Sequence, residues 1–377
     1  MRAFDLILYL WIALLSVFLG GYLGYFGYLR HRAKGSWGLR MDSQFCPAVS
    51  ILVPAFNEEK IILSKLLNLK EVSYSKEKME VVFIDDASTD KTLAIVEKFV
   101  KENPDLQVKI VCRTERRGKA NGLNAALPVC SNDLVLVSDA DTLWPTDILV
   151  KTLPYLSDPT IGALSGMGRA KNPEQSWVTR AEKGYMSMMS VWRLGESKIH
   201  STIRFEGAFT AFKRKSFLEF DDESGADDSG TALRVIQKGY RAIVVPEAVI
   251  TAEIAFEMRK RIRAKTRRAV HLAGLWVQCL RLLIKNRLKL PKRIAIPEIF
   301  LSLFMPFIFV ALVCLTFVML AYYTIPILFF FALLGIALVV PGLRSHLAQA
   351  IVDQFILFYA VLLYSVNRRF IIWEHTR

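Results

Sequence analysis

Cysteine is scarce, and its placement excludes two classes. Cys46, Cys112, Cys130, Cys279 and Cys314 have neither the even count nor the close spacing of a disulfide framework or a zinc site. Internal repeats and low-complexity tracts are absent as well. Acidic residues are nearly missing from one region. Across 257–293 thirteen Lys and Arg stand against Glu257 alone, so this segment carries +12 of the chain's +14 and the other 340 residues only +2. A pI near 9.5 suggests diffuse attraction to polyanions, but charge this local points to a local purpose.

Charge of either sign is missing from two long runs, in a chain that is 53% hydrophobic with a positive mean hydropathy. Residues 6–29 hold no charge and are long enough, at about 1.5 Å per residue, to cross a hydrocarbon core of about 30 Å. The run is longer than a signal peptide's, and "GYFGYLRHRAK" offers no small-residue cleavage site, so a retained span over 4–29 is expected. Residues 299–343 are also uncharged, and as one helix they would measure about 68 Å, so they must fold back. "AYYTIPI" around Pro326 is the expected turn between spans over 296–321 and 324–343. A last segment, 347–366, is largely apolar but holds Asp353 and Gln354, and a carboxylate at membrane depth is costly unless it pairs or faces protein. It is read as transmembrane or interfacial.

Arg30, Arg32, Lys34 and Arg40 follow the first span, against Arg2 and Asp5 before it, which places the central region in the cytoplasm of an integral membrane protein. Four full spans would put "NRRFIIWEHTR" outside although its arginines favour the inside. An interfacial segment or an exception to the charge rule would each resolve the conflict.

Residues 42–258 suit one α/β domain. "AVSILVPAFN" and "KMEVVFIDDAS" are short apolar, β-branched runs that end at Pro54 and at a pair of acids, as buried parallel strands do. "STDKTLAIVEKFVKEN" follows with Asp90 placed as an N-cap, so the domain opens βαβ. "DLVLVSDAD" is another such strand. In open sheets ligands bind beyond the carboxyl ends of the strands, and these three end in polar or acidic residues. Asp139 and Asp141 lie two apart; in an extended backbone they would face one side and suit Mg²⁺ or Mn²⁺ bridging a diphosphate. The alternative is a turn in which an Asp caps the helix after Pro145.

In order along the chain, "VSILVPAFNEE", "VVFIDDASTDKT", "GKANGLNAAL", "SDADT", "GAFTAFKR" and "ADDSGTALRVIQKGYR" resemble the motifs of the family 2 glycosyltransferases. The resemblance covers residues 49–268, with membrane helices on both sides as in the family's membrane-bound synthases. It implies a GT-A fold, Rossmann-like with a mostly parallel sheet, a UDP- or GDP-sugar donor, a divalent metal and inversion at the anomeric carbon. By the same resemblance Ala55, Phe56, Glu58 and Asp86 contact the nucleoside, and Lys119 approaches the diphosphate. Asp139 and Asp141 form the DxD pair, the first toward the ribose and the second on the metal. Asp227 and Asp228 match the acidic pair whose second member is the general base. Blander roles stand beside these: Glu58 and Lys119 at the surface, Asp85 or Asp86 capping a turn, and Asp227 and Asp228 capping a helix. A sugar hydroxyl must lose a proton as it attacks, whereas a lipid phosphate is already an anionic nucleophile, so a retained base argues for a hydroxyl acceptor.

The basic region can then be read as two parts. Val270, Ala273, Val277, Leu280, Ile284 and Leu288 recur at helical steps, while His271, Gln278, Arg281, Lys285 and Lys289 fall largely between them. A basic amphipathic helix over 259–293, beside a membrane span, is expected at the interface with lipid headgroups rather than on nucleic acid. Lys265, Arg268 and Ala269 stand where the processive synthases carry QxxRW. Only the arginine survives, and by the resemblance it would neutralise the departing diphosphate. The missing tryptophan removes a stacking platform for an acceptor sugar, and Trp276, two turns on, does not replace it. The expectation is therefore addition of one or a few sugars to a lipid-linked or polysaccharide acceptor. A polyprenyl-phosphate sugar synthase and a catalytically silent membrane scaffold or sugar-binding protein remain as alternatives.

Overall fold

A computed structural model describes residues 3–252, 254, 257–322 and 341–367, with the single positions 328, 332, 335 and 339. The span expected over 324–343 lies largely outside the described residues. Two compact units divide the chain.

The first comprises Arg32–Lys171 with Arg193–Glu253 and holds a seven-stranded sheet. Its strands are β1 (Val49–Ala55), β2 (Met79–Asp85), β3 (Gln107–Cys112), β4 (Leu134–Val137), β5 (Ile161–Ala170), β6 (Thr210–Lys213) and β7 (Arg241–Ala252), in the order β3-β2-β1-β4-β6-β5-β7. β3, β2, β1 and β4 are mutually parallel, β6 runs antiparallel to β4 and β5, and β7 is parallel to β5. The architecture is the α/β, mostly parallel one that the apolar runs imply. Every residue of β2 is buried, because helices cover both faces of such a sheet. Ile51, Leu52, Val53 and Phe83 are fully buried, each worth about 1.5–3 kcal/mol of transfer free energy.

β1 does not stop at Pro54 but continues to Ala55. The Leu52 carbonyl accepts from Ser138 N on the β4 side, and alternation turns the Pro54 nitrogen to that same side. The ladder to β4 has ended by Leu52, so no partner needs the N–H that proline lacks.

The second unit gathers segments Met1–His31, Asn172–Trp192 and Ile254–Arg369. Asp5–Ala33 and Lys292–Leu320 are long and apolar enough to cross a membrane. Within the latter, Phe300–Phe304 form a π-helical turn, and Pro306 just beyond it has no N–H to return to the Ser302 carbonyl. The basic region forms the helix Met258–Ile284, whose buried residues include Ala269, Val270, Ala273, Trp276 and Cys279. That face differs from the expected stripe: His271 is buried and Ile284 is exposed. The difference has a cause, since the helix packs on protein. Ala269 and Val270 meet Ile356, Ala360 and Leu363 of the helix Pro341–Ser365. Ala269 thus keeps two helices close where a tryptophan would hold them apart.

Asp353 and Gln354 within 347–366 are both paired. Asp353 receives Lys265 Nζ at 3.0 Å, and Gln354 donates to the Tyr22 hydroxyl at 2.8 Å. Lys265 also meets Glu182 at 3.1 Å and lies 3.8 Å from the centre of the Tyr185 ring, while Arg261 holds Glu182 and Gln349. Glu182 and Tyr185 come from the helix Trp177–Ile199, which the motif reading did not identify.

Candidate active site

The site lies at the carboxyl ends of β1, β2 and β4, all within the first unit. After β1 and β2 the backbone turns through Asn57 and Ala87, whose φ angles of 54° and 65° are in the left-handed region. The two turns are laced together: Asn57 N donates to Ser88 Oγ at 3.0 Å, and Thr89 N donates to Asn57 Oδ1 at 2.8 Å. Glu58 lies between these turns and the helix Ile62–Glu71; its amide donates to Thr92 Oγ1 at 2.8 Å. Asp90 accepts from the amides of Thr92 and Glu59, so it caps one loop and ties down the other.

Asp85 and Asp86 have separate roles. Asp85 accepts from Ser88 N at 3.1 Å and caps the turn, leaving its other oxygen buried without a hydrogen bond. Asp86 accepts from Arg117 N at 3.2 Å and Gly118 N at 2.8 Å, which folds the 113–118 loop over the strand ends. That loop sets the Arg116 guanidinium 3.9 Å from the centre of the Phe56 ring. Ala55, Phe56 and Asp86 therefore share one corner with Arg113, Arg116 and Arg117, three cations that no motif marked.

Lys119 begins the helix Lys119–Ala126 and joins the two acidic motifs. Its Nζ is 2.7 Å from Asp139 Oδ1 and 3.1 Å from Asp227 Oδ2. Burial works against that ammonium, but Asp139, Asp227 and Asp228 outweigh it and raise its pKa above the ordinary lysine value. Gly207 makes room, since a Cβ there would come 2.7 Å from Nζ.

Asp227 and Asp228 open the helix Asp227–Gln237. Asp228 Oδ1 accepts from Ser229 N at 2.6 Å. Its carboxyl is densely enclosed by protein although its surface is only half-buried, as suits a cleft wall. Burial, then the neighbouring Asp227 charge, push its pKa up to about 7, with Lys119 pulling the other way. The helix start is fixed from behind by Asp221, whose amide donates to Thr231 Oγ1 and whose carboxylate accepts from Arg234. A Cβ on Gly230 would come 2.1 Å from Asp221 Oδ2. Gly230→Ala is therefore expected to cost about 1–3 kcal/mol, read as a lower thermal unfolding midpoint of the purified protein.

Asp139 and Asp141 are not on extended backbone. β4 ends at Val137, and Thr142 N returns to Asp139 O at 3.3 Å, so the pair occupies a turn and the strand-alternation argument does not apply. Asp139 is partly buried and held by Lys119, whereas Asp141 is exposed. Among the described residues no three His, Cys, Asp or Glu converge as a metal cage. Two carboxylates on one turn nevertheless fit a hard divalent ion of the Mg²⁺ or Mn²⁺ kind, which keeps waters and shares its shell with substrate phosphates. Asp141→Asn, which keeps the shape and removes the charge, is expected to weaken Mn²⁺ binding at least about tenfold in a paramagnetic-resonance titration.

Lys65 is a participant that no motif marked. It is fully buried in the helix Ile62–Glu71 and reaches the same turn from behind. Its position was legible, because Ile62, Lys65, Leu66 and Leu69 fall on one buried helical face. Arg268 belongs to the other unit, where it is exposed on the helix Met258–Ile284.

A mostly parallel sheet whose carboxyl edge carries the Phe56–Arg116 corner beside a carboxylate cluster is the arrangement of the GT-A class of nucleotide-sugar enzymes. The comparisons agree. The description "Glycosyltransferase like family 2" matches residues 47–270, more than half of the chain, and the chain belongs to that family. Poly-beta-1,6-N-acetyl-D-glucosamine synthase of Staphylococcus aureus is 28% identical over 205 residues, 53% of this chain and 48% of that protein. Beta-monoglucosyldiacylglycerol synthase of Nostoc sp. is 34% identical over 146 residues, 39% of this chain and 31% of that one. The chain thus spans no more than about half the length of these curated relatives. The mannosyltransferase PcManGT of Pyrobaculum calidifontis, solved with GDP-Man and Mn²⁺, superposes with a TM-score of 0.82 at 30% identity, covering 96% of this chain and all of that one.

Proposed function

We propose that the protein is an inverting, metal-dependent glycosyltransferase that moves a sugar from a nucleotide-sugar donor to a hydroxyl of a membrane glycolipid or growing polysaccharide at the cytoplasmic face. The observation that carries this reading is the Asp139–Lys119–Asp227 chain, which ends on Asp228 with its raised pKa. Asp228 takes the proton of the acceptor hydroxyl as it attacks the anomeric carbon. Lys119 keeps Asp139 in place and offers its remaining N–H to the diphosphate. Phe56, under the Arg116 guanidinium, and Asp86 form the wall for the base, and their loop excludes water from that side. A divalent ion held by Asp139 and Asp141 supplies charge neutralisation for the leaving group when bound.

The donor favoured is GDP-mannose, because PcManGT, solved with that nucleotide sugar, matches this chain nearly end to end. A thermal-shift panel of GDP, UDP, GDP-mannose and UDP-sugars, each with and without Mn²⁺, tests the donor. The largest shift is expected for GDP-mannose with Mn²⁺. A panel in which UDP-sugars stabilise more would redirect the donor, and one with no shift for any nucleotide would sink the enzyme reading.

A further inference from the structure

The β4 turn is secured from beneath by one side chain. Lys65, in the helix Ile62–Glu71, is wholly enclosed, and its Nζ donates to Ser138 Oγ and, at 2.8 Å, to the Thr142 carbonyl. These two acceptors bracket Asp139, Ala140 and Asp141. The ammonium also lies 4.7 Å from the centre of the Trp144 ring, and Trp144 is fixed in turn: its indole N–H donates to the Ala208 carbonyl at 2.9 Å, and Asn68 pairs with its backbone N and O. A buried lysine is costly unless it is hydrogen-bonded, and the bonds of this one go to the turn. The structure therefore places a charge where geometry, not solubility, needs it.

We propose that Lys65 is a positioning residue for the divalent cation, clamping both ends of the 138–142 turn so that Asp139 and Asp141 are presented to the ion together. The proposal rests on the metal-dependent reading above. Burial draws the Lys65 pKa down to about 7, and the charges that oppose this are those of Asp139 and Asp141, so the ammonium and the pair feel one another. Two effects on the ion compete. A buried positive charge repels it weakly, while release of the turn misplaces ligands that must sit within about 0.5 Å of a working geometry. The second dominates, because Lys65 bonds Ser138 and Thr142, the two ends of the turn itself.

The test is a paramagnetic-resonance titration of Mn²⁺ against the full-length protein in detergent with GDP present, beside GDP binding without metal. Lys65→Met keeps the length and burial of the side chain and is expected to raise the Mn²⁺ half-saturation tenfold or more while leaving metal-free GDP binding within twofold. Ser138→Ala removes one of the two acceptors and should shift it about threefold in the same direction. If Lys65→Met fails to fold, Ser138→Ala decides alone. Unchanged Mn²⁺ curves in the folded variants, or lower thermal stability with no change in Mn²⁺ affinity, would overturn the proposal. Wild-type protein that binds no Mn²⁺ would sink the metal-dependent reading first, and the two failures are thereby told apart.

Discussion

Asp228→Asn is expected to cut sugar transfer about 10²–10⁴-fold in kcat, with donor binding nearly intact. The amide keeps the shape of the carboxyl and its place beside Ser229 N but cannot accept a proton. The sign of the accompanying pH dependence is fixed by the raised pKa of about 7. Below that value Asp228 is protonated and cannot act as a base, so kcat should fall as pH drops through 7 and level off above 8. The Asn variant should lose that ascending limb and keep only a flat residual rate. Near-full activity in the variant would instead favour a polyprenyl phosphate as acceptor, since an anionic nucleophile needs no base. Stopped assays at several pH values, with donor hydrolysis followed separately, distinguish these outcomes.

Lys119→Met is expected to be nearly as damaging, at about 10²–10³-fold in kcat at pH 7, because it removes the cation that links Asp139 to Asp227. Its second effect runs in a direction that a simple folding defect would not give. Lys119 holds the Asp228 pKa down, so without it that carboxyl binds its proton more tightly and the ascending limb of the pH profile moves above 7. Raising the pH should therefore recover part of the lost rate in Lys119→Met but none in Asp228→Asn. A limb that stays at the wild-type position in the methionine variant would mean that Lys119 and Asp228 do not share a field.

The sheet could be read in the sequence because buried parallel strands leave a simple mark. "SILVPA" and "EVVFID" are β-branched, apolar and short, and nothing in a helix requires that pattern at that length. The acidic motifs were visible for a similar reason, being polar residues at the ends of such runs. Their geometry was not. Whether Asp139 and Asp141 lie on a strand or a turn depends on where pairing with β1 stops, and that is set by Leu52 more than eighty positions earlier. The three arginines of the 113–118 loop carry no periodicity, so only the closure onto Asp86 reveals their purpose. The pairing of Lys265 with Asp353 joins positions 88 apart in sequence and was equally out of reach, although the cost of an unpaired Asp353 required that some partner exist.

The reversed direction of β6 has a consequence for how such an enzyme can change. In the parallel part of the sheet the functional residues follow their strands, so lengthening a loop after β1, β2 or β4 alters the floor that bears Asp86, Asp139 and Asp141. β6 runs the other way, and its contribution at Gly207 precedes the strand instead. The segment just ahead of it is tied to the sheet as well, since Thr202 N donates to the Ala242 carbonyl and Glu206 N to Ser165 Oγ, so that wall can change by substitution but not by insertion. The site thus joins two walls that reach it from opposite strand directions and meet at Gly207, so a side chain added there would press on Lys119 and Asp139 together.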